Sequence, residues 1–304
     1  MAHPRRFRFA VQIDRASDRS SYLELVRKAE DLGYDTLVLE DHFDENFAPI
    51  PAMLAAASAT SSLRVSTHVF CNDYKHPLVL AKEIATLDVL TDGRVEFGLG
   101  AGWFEAEHAA YGIPFPPLGE RFDVLEEQLA IITGLWGTPE GETFSFDGAH
   151  YRVSDSPGLP KPAQRPRPPV DLGGGGARRT PRLAARFADE FNVPFRSLAD
   201  SAAGFARVRE ACEAAGRYPA SMTYSVAQTV CCGKDEAEFR RRAAAIGEDP
   251  EDLRANAIGG TPSEVAAKIA EFAEIGADRV YLQVLDLHDL GHLELLASDV
   301  LPQV

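Results

Sequence analysis

The sequence predicts an α/β protein, a (β/α)8 TIM barrel with insertions. Three observations carry that expectation. Short apolar runs alternate with helical patterns along most of the 304 residues, and eight such runs can be placed. The loop after the first run, Asp14-Arg15-Ala16-Ser17-Asp18, has no glycine. Eight strand–helix units are the count of a closed barrel, whereas a doubly wound sheet puts a glycine fingerprint after its first strand. Residues 1–304 are therefore read as one barrel unit.

The elements follow in order. Arg8–Ile13 is the first strand, and Ser20–Leu32 has apolar residues at helical spacing with Gly33 as its C-terminal stop. Thr36–Leu39 is the second strand and ends on Glu40-Asp41-His42; the Ala-rich helix Pro51–Ala59 comes next. Leu63–Phe70 is the third strand, Pro77–Leu90 a helix closed at Asp92-Gly93, and Arg94–Leu99 the fourth strand, followed by Gly100-Ala101-Gly102-Trp103. Leu118–Leu135 is a long helix.

The rhythm then pauses. Residues 137–168 hold a short hairpin around Thr143–Tyr151 and a proline-dense run from Pro157. Such a run cannot hold a helix, so the stretch is expected to be an excursion or lid that shapes a substrate pocket. Pro169–Leu172 is the fifth strand; an Ala-rich helix over Arg182–Asp189 precedes the sixth, Glu190–Val193. Ala202–Ala215 is a helix closed by Gly216, and Met222–Val230 is the seventh strand. Helices Glu236–Ala245 and Ser263–Ile275 flank an insert, Gly247–Ile258. The second has Thr261 as cap, Pro262 in the first turn and Glu264 to complete a capping box. Arg279–Val284 is the eighth strand and Leu290–Leu301 the closing helix.

Composition narrows the function. With 46 acidic against 31 basic side chains the net charge is −15, which disfavours nucleic acid and anionic lipid as partners. No apolar run is long enough to span a membrane. The basic start Met1-Ala-His-Pro-Arg-Arg-Phe-Arg runs into an alternating strand rather than a signal-peptide core, so the expected setting is cytoplasmic. Cys71, Cys212, Cys231 and Cys232 contain no Cys-x-x-Cys pair, and a metal site is not expected. His42, Asp41 and His68 are conceivable zinc donors, but the His-x-His of metal-hydrolase barrels is missing from the first strand.

Barrel chemistry gathers where the strands end. That rule collects Gln12, Asp14, Glu40, Asp41, His42, the segment His68–Asn72, and Gly100–Glu107. Four glycines, Gly173 to Gly176, follow the fifth strand and precede a helix. There, backbone N–H groups and the helix dipole can receive an anion such as a phosphate. The sequence lacks the lysine and hydroxyl of a nucleotide P-loop, and a flexible turn is the plain alternative.

Several segments together carry a family resemblance. They are Leu37-Val38-Leu39-Glu40-Asp41-His42-Phe43, Lys75-His76-Pro77, Lys82-Glu83-Ile84-Ala85-Thr86-Leu87-Asp88 and Gly93-Arg94-Val95-Glu96-Phe97-Gly98-Leu99-Gly100-Ala101-Gly102-Trp103. Glu107, Gly112, Gly173 to Ala177, Leu183-Ala184-Ala185-Arg186-Phe187-Ala188-Asp189 and Gly260-Thr261-Pro262 complete the set. In this order the chain resembles the bacterial luciferase-like flavin and deazaflavin oxidoreductases, in particular the branch that uses coenzyme F420. The resemblance implies hydride transfer at a deazaflavin, or alternatively at FMN in a monooxygenase, with a small organic substrate and a homodimeric assembly. It implies that the cofactor phosphate meets Gly174, Gly175, Gly176 and Ala177 together with Arg178 or Arg179. It places His68, Val69, Phe70, Asn72 and Trp103 around the ring, with a bulge and a cis peptide at His68–Val69. His68 stands where the family often has glycine. Beside the ring His42 is the candidate proton carrier, with Asp41 to orient it or contact the ring and Glu107 a second acid. A non-catalytic barrel and a metal-dependent hydrolase are the readings from other classes.

Overall fold

The computed structural model describes residues 6–304, so most of the basic N-terminal start lies outside the described residues. The strands are β1 (Arg8–Gln12), β2 (Thr36–Leu39), β3 (Arg64–Thr67), β4 (Phe70–Cys71), β5 (Phe97–Gly100), β6 (Phe144–Asp147) and β7 (Arg152–Ser156). They continue with β8 (Val170–Gly173), β9 (Glu190–Pro194), β10 (Thr223–Cys232), β11 (Ile258–Gly260) and β12 (Arg279–Gln283). The main sheet runs in the order β3-β2-β1-β12-β10-β9-β8-β5-β4, every pairing parallel. An isolated parallel bridge, Val65 to Val95, joins its two ends. The sheet is thus a nearly closed barrel, with β3 and β4 sharing the third strand position.

That third position departs from the single strand read in the sequence. The peptide between His68 and Val69 is cis, as the resemblance implied, and it separates β3 from β4. The methyls of Val69 then lie 2.8 and 2.7 Å from where a Cβ on Gly98 or Gly100 would stand. Glycine at both positions is what lets this segment fold against β5.

The helices are α1 (Arg19–Asp31), α2 (Pro49–Ala59), α3 (Pro77–Leu90), α4 (Glu105–Tyr111), α5 (Leu118–Gly137) and α6 (Arg179–Phe187). After them come α7 (Leu198–Ala214), α8 (Glu236–Ala245), α9 (Pro250–Asn256), α10 (Pro262–Glu274) and α11 (Leu290–Leu295). Local signals explain several ends. Asp18 accepts the Ser21 N–H at the start of α1, Gly33 closes it at φ +85°, and the Thr261/Glu264 capping box of α10 is present. The closing helix ends sooner than the sequence suggests: α11 passes into a wider π turn over Leu296–Val300.

A buried ionic cluster seals the floor of the barrel, where the strands begin. Arg279 is fully buried and bonds Glu96 at 2.7 Å, Glu190 at 3.0 Å and Asp35 at 2.9 Å. Tyr281 donates to Glu190 at 2.8 Å. Burial alone would raise the Glu96 carboxyl, but Arg279, Arg64 and Arg8 hold it down at about 2.

The excursion after α5 packs along α5 and reaches the floor of the barrel. The hairpin β6–β7 sits on α5, where the Phe144 ring fills the space left by Gly134 and Glu127 accepts the N–H groups of Ala149, His150 and Tyr151. Lys161 donates to the Leu135 carbonyl near the end of α5. Gln164 bonds both Asp88 oxygens and the Val95 carbonyl, and accepts from Arg64. Higher up, the Tyr151 hydroxyl meets Gln128, which also bonds the Asn72 carbonyl after β4, and the Tyr151 ring packs edge-on against His76.

Candidate active site

At the C-terminal mouth, His42 and Glu107 meet although 65 positions separate them. His42 follows β2 and Glu107 sits in the first turn of α4, a helix the sequence reading missed. The His42 Nδ1 lies 2.9 Å from Glu107 Oε2, and Tyr74 donates its hydroxyl to the same oxygen at 2.7 Å. The Phe43 backbone N–H donates to Glu107 Oε1. Burial opposes ionisation of Glu107, but these three donors outweigh it and hold the carboxyl below its ordinary range. An ionised carboxylate only accepts, so Nδ1 must carry the proton and the neutral ring keeps its lone pair on Nε2. No residue among those described hydrogen-bonds that nitrogen.

Aromatic rings flank the pair. Trp103 meets the His42 ring edge-on at 5.6 Å and stacks on Phe104 at 5.0 Å. Trp103 is 73% exposed, so its face is available to a flat ligand. Arg121 bonds the carbonyls of Ala101 and Gly102 and fixes the loop that carries it.

Asp41 does not orient His42. Its carboxylate accepts the Cys71 N–H at 3.1 Å and ties β2 to β4. Burial raises it to about 6, despite that bond and the nearby Lys75. Glu107 takes the orienting place instead. Adjacency in sequence had suggested Asp41, but consecutive residues at a strand end point different ways.

Around the third strand position the predicted residues separate. His68 faces the barrel interior, stacked on Tyr281 at 4.6 Å and bonded to Asp171 at 2.9 Å. Burial would lower its pKa, yet Asp171 raises it overall. Val69 lines the same side against Gly98 and Gly100. Phe70 is 1% exposed and packs on Phe97, which in turn meets Trp136 on α5, so it belongs to the core behind the barrel wall. Asn72 is equally buried and spends its amide on the Arg121 carbonyl. Neither side chain contacts His42 or Trp103 among the described residues. Cys71 is also buried, which pushes its thiol up to about 12 and removes it as a nucleophile.

The glycine loop opens at the end of β8. Gly174 donates its N–H to the Asn192 carbonyl at φ +136°. The N–H groups of Gly175, Gly176 and Ala177 make no hydrogen bond among the described residues, and all three residues are exposed. A Cβ on Gly176 would stand 2.7 Å from Thr180 Oγ1. Unpaired N–H groups beside a helix start are the kind of donors an anion accepts from. The two arginines differ: Arg179 bonds the Gly119 carbonyl and Asp123 on α5, while Arg178 is exposed and uncommitted among the described residues. Arg196, after β9, was not anticipated. Its guanidinium lies 3.6 Å from where a Gly175 Cβ would stand; its place just past a strand end was the one signal available.

A family model described as luciferase-like monooxygenase matches residues 6–248. An F420-dependent glucose-6-phosphate dehydrogenase of Microbacterium testaceum is 34% identical over 172 residues, 54% of this chain; the match spans about half, 49%, of that relative's own length. An FMNH2-dependent dimethylsulfone monooxygenase of Pseudomonas fluorescens is 26% identical over 324 residues, covering 92% of this chain and 86% of the relative. Among solved structures, the F420-dependent tetrahydromethanopterin reductase of Methanopyrus kandleri superposes with a TM-score of 0.82 over 98% of this chain and 99% of its own, at 20% identity.

Proposed function

Because the chain belongs to the luciferase-like monooxygenase family, we propose that it is an oxidoreductase moving a hydride between coenzyme F420 and a small organic substrate. The observation that carries this reading is the His42–Glu107 pair, with Nδ1 held by an ionised carboxylate and Nε2 free beneath the Trp103–Phe104 stack. The cofactor fits the residues present. Gly175, Gly176 and Ala177 offer unused N–H groups to its phosphate, Arg178 and Arg196 offer charge, and Trp103 offers a ring face.

A bound deazaflavin would supply the two-electron chemistry; the protons are left to the chain. His42 Nε2 takes the hydroxyl proton of an alcohol-like substrate as its carbon is oxidised, and Glu107 stabilises the imidazolium that results. In the reverse direction the same nitrogen returns the proton. Tyr74 and the Phe43 N–H hold Glu107 in place through both directions.

An FMN-dependent monooxygenase is the second reading, supported by the Pseudomonas fluorescens relative that matches nearly the whole chain. Assembly as a homodimer is part of the proposal: α2 and α3 present Leu54, Val79 and Leu90 to solvent at 36%, 51% and 61% exposure. Four free cysteines support a cytoplasmic setting.

The deciding experiment is equilibrium titration of the purified protein with coenzyme F420 and with FMN, followed by fluorescence. The proposal expects F420 to bind at least about tenfold more tightly, about 1.4 kcal/mol. Tighter binding of FMN would transfer the assignment to the monooxygenase reading, and binding of neither would refute both.

A further inference from the structure

We propose that Cys71, Asp73 and His108 form a buried metal site, suited to zinc or a similar thiolate-seeking cation, behind the loop that carries Trp103. Cys71 ends β4, Asp73 follows two residues later, and His108 is the residue after Glu107 on α4. The Cys71 Sγ lies 3.8 Å from His108 Nε2, which lies 3.5 Å from Asp73 Oδ2, and all three atoms are within 4.8 Å of one another. Tetrahedral zinc, with bonds of about 2.3 Å to sulfur and about 2.0 Å to nitrogen or oxygen, sets its ligand atoms roughly 3.3–3.6 Å apart. The donors need to move by only a few tenths of an ångström for the S–N and N–O pairs.

Three further observations separate this cluster from a chance group of polar side chains. His108 Nδ1 bonds the Phe104 carbonyl at 2.8 Å, so Nε2 carries the lone pair and faces the other two donors. That backbone acceptor behind a ring is the outer support metal-binding histidines require. Asp73 Oδ2 is buried and has no closer polar neighbour than His108 Nε2 at 3.5 Å, a long contact that a cation between the two atoms would replace. The third is steric: a Cβ on Gly102 would stand 2.9 Å from Cys71 Sγ and 3.3 Å from Asp73 Oδ2, and Gly102 adopts φ +68°. Glycine there keeps the space above the donors clear.

The charges also balance. A thiolate and a carboxylate match a divalent cation, and binding releases the Cys71 proton to solvent. His108 and then Arg121 are the positive neighbours acting on Asp73, and the Arg121 donors go to the carbonyls of Ala101, Gly102 and Pro116. A metal here would brace β4 against α4 and so hold Glu107 and Trp103 in register, without touching substrate.

The test starts from chelator-treated full-length protein. Cobalt(II) is the optical probe, since ligation by a thiolate gives a sulfur-to-metal charge-transfer band in the near ultraviolet, and zinc binding is followed by calorimetry. The expected result is one zinc per chain and a cobalt band that zinc abolishes. Cys71→Ser should lose the band, and His108→Gln and Asp73→Asn should each weaken zinc by more than about tenfold. Circular dichroism confirms folding, and the near-isosteric Asp73→Asn carries the test if Cys71→Ser misfolds. Absence of both band and zinc binding in folded wild type at micromolar metal would overturn the site. So would wild-type affinity in the folded variants.

Discussion

Replacing Glu107 by glutamine tests the heart of the proposed mechanism, because it removes a charge while keeping the shape. The carboxylate accepts from three donors: Phe43 N–H, Tyr74 O–H and His42 Nδ1. Glutamine can keep one carbonyl oxygen on Phe43, but its amide nitrogen then faces Tyr74 and His42 as a donor. Tyr74 can rotate its hydroxyl and accept. His42 can remain bonded only by moving its proton from Nδ1 to Nε2. The nitrogen offered to substrate then changes from acceptor to donor, and the base is lost at neutral pH. Turnover is expected to fall by about 10²-fold or more, about 2.7 kcal/mol of barrier. All three charge-assisted hydrogen bonds become neutral ones, so stability should fall by about 1–3 kcal/mol. Nitrogen-15 NMR of the imidazole reads the tautomer directly and needs no substrate. Wild-type protein should show the Nδ1–H form when neutral and the variant the Nε2–H form. A wild-type ring already in the Nε2–H form, or no change on substitution, would refute the derivation.

Gly175→Val should leave the fold intact, since a Cβ there meets nothing closer than 3.6 Å, yet its methyls would crowd the free N–H groups. Titration should show phosphate-bearing cofactor affinity reduced at least about tenfold, about 1.4 kcal/mol. Arg279→Met strands the buried carboxylates Glu96 and Glu190 and should cost about 3–5 kcal/mol in denaturant unfolding; a loss under 1 kcal/mol would contradict the sealing role. Burial pushes the Asp41 carboxyl up to about 6, above the usual aspartate range, so the folded state favours the protonated acid. The cost of holding it ionised grows as pH rises through that window, up to about 3 kcal/mol above it. Asp41→Asn should therefore stabilise the protein more at pH 7 than at pH 4, as thermal melts across that range would show. Leu90→Asp, on the exposed α2–α3 face, should shift sedimentation from dimer to monomer.

Elements bounded by strong local signals were legible in the sequence. Thr36–Leu39, Pro77–Leu90 and Glu236–Ala245 appear with the predicted limits. Proline opens α3, and Asp235 caps α8. Two short helices were missed for opposite reasons. In α4, Glu105–Tyr111, seven residues are too few to display a periodic face. For α9, the Asp249–Pro250 start was present, and Asp249 does accept the N–H groups of Glu251 and Asp252, but the glycines around it suggested only loop. Those glycines form β11, where a Cβ on Gly259 would strike the Leu253 backbone at 2.8 Å. Strand ends located His42, Trp103 and the glycine loop. No local pattern, however, could join His42 to Glu107, or Cys71 to His108, because α4 alone creates both contacts.

The lower meeting of β3 and β5 is a place where the barrel wall leans on side chains. Along the lower part of this seam a lone Val65–Val95 bridge joins the two strands, and above it the two-residue β4–β5 ladder takes over. Reinforcement of the bridge comes from side chains: Thr67 on the Gly98 carbonyl, Arg64 on Glu96, and Gln164 reaching in from the excursion. Local openings start where backbone ties are sparse, as they are along this lower stretch. The amides of Val65 and Glu96 should then exchange with solvent through smaller openings than their counterparts on β1 or β12. Since Val69 rests on Gly98 and Gly100 along that line, the same breathing reaches the wall of the mouth. Cofactor that fills the mouth would therefore slow exchange at a distance, along one edge of the barrel rather than all round it.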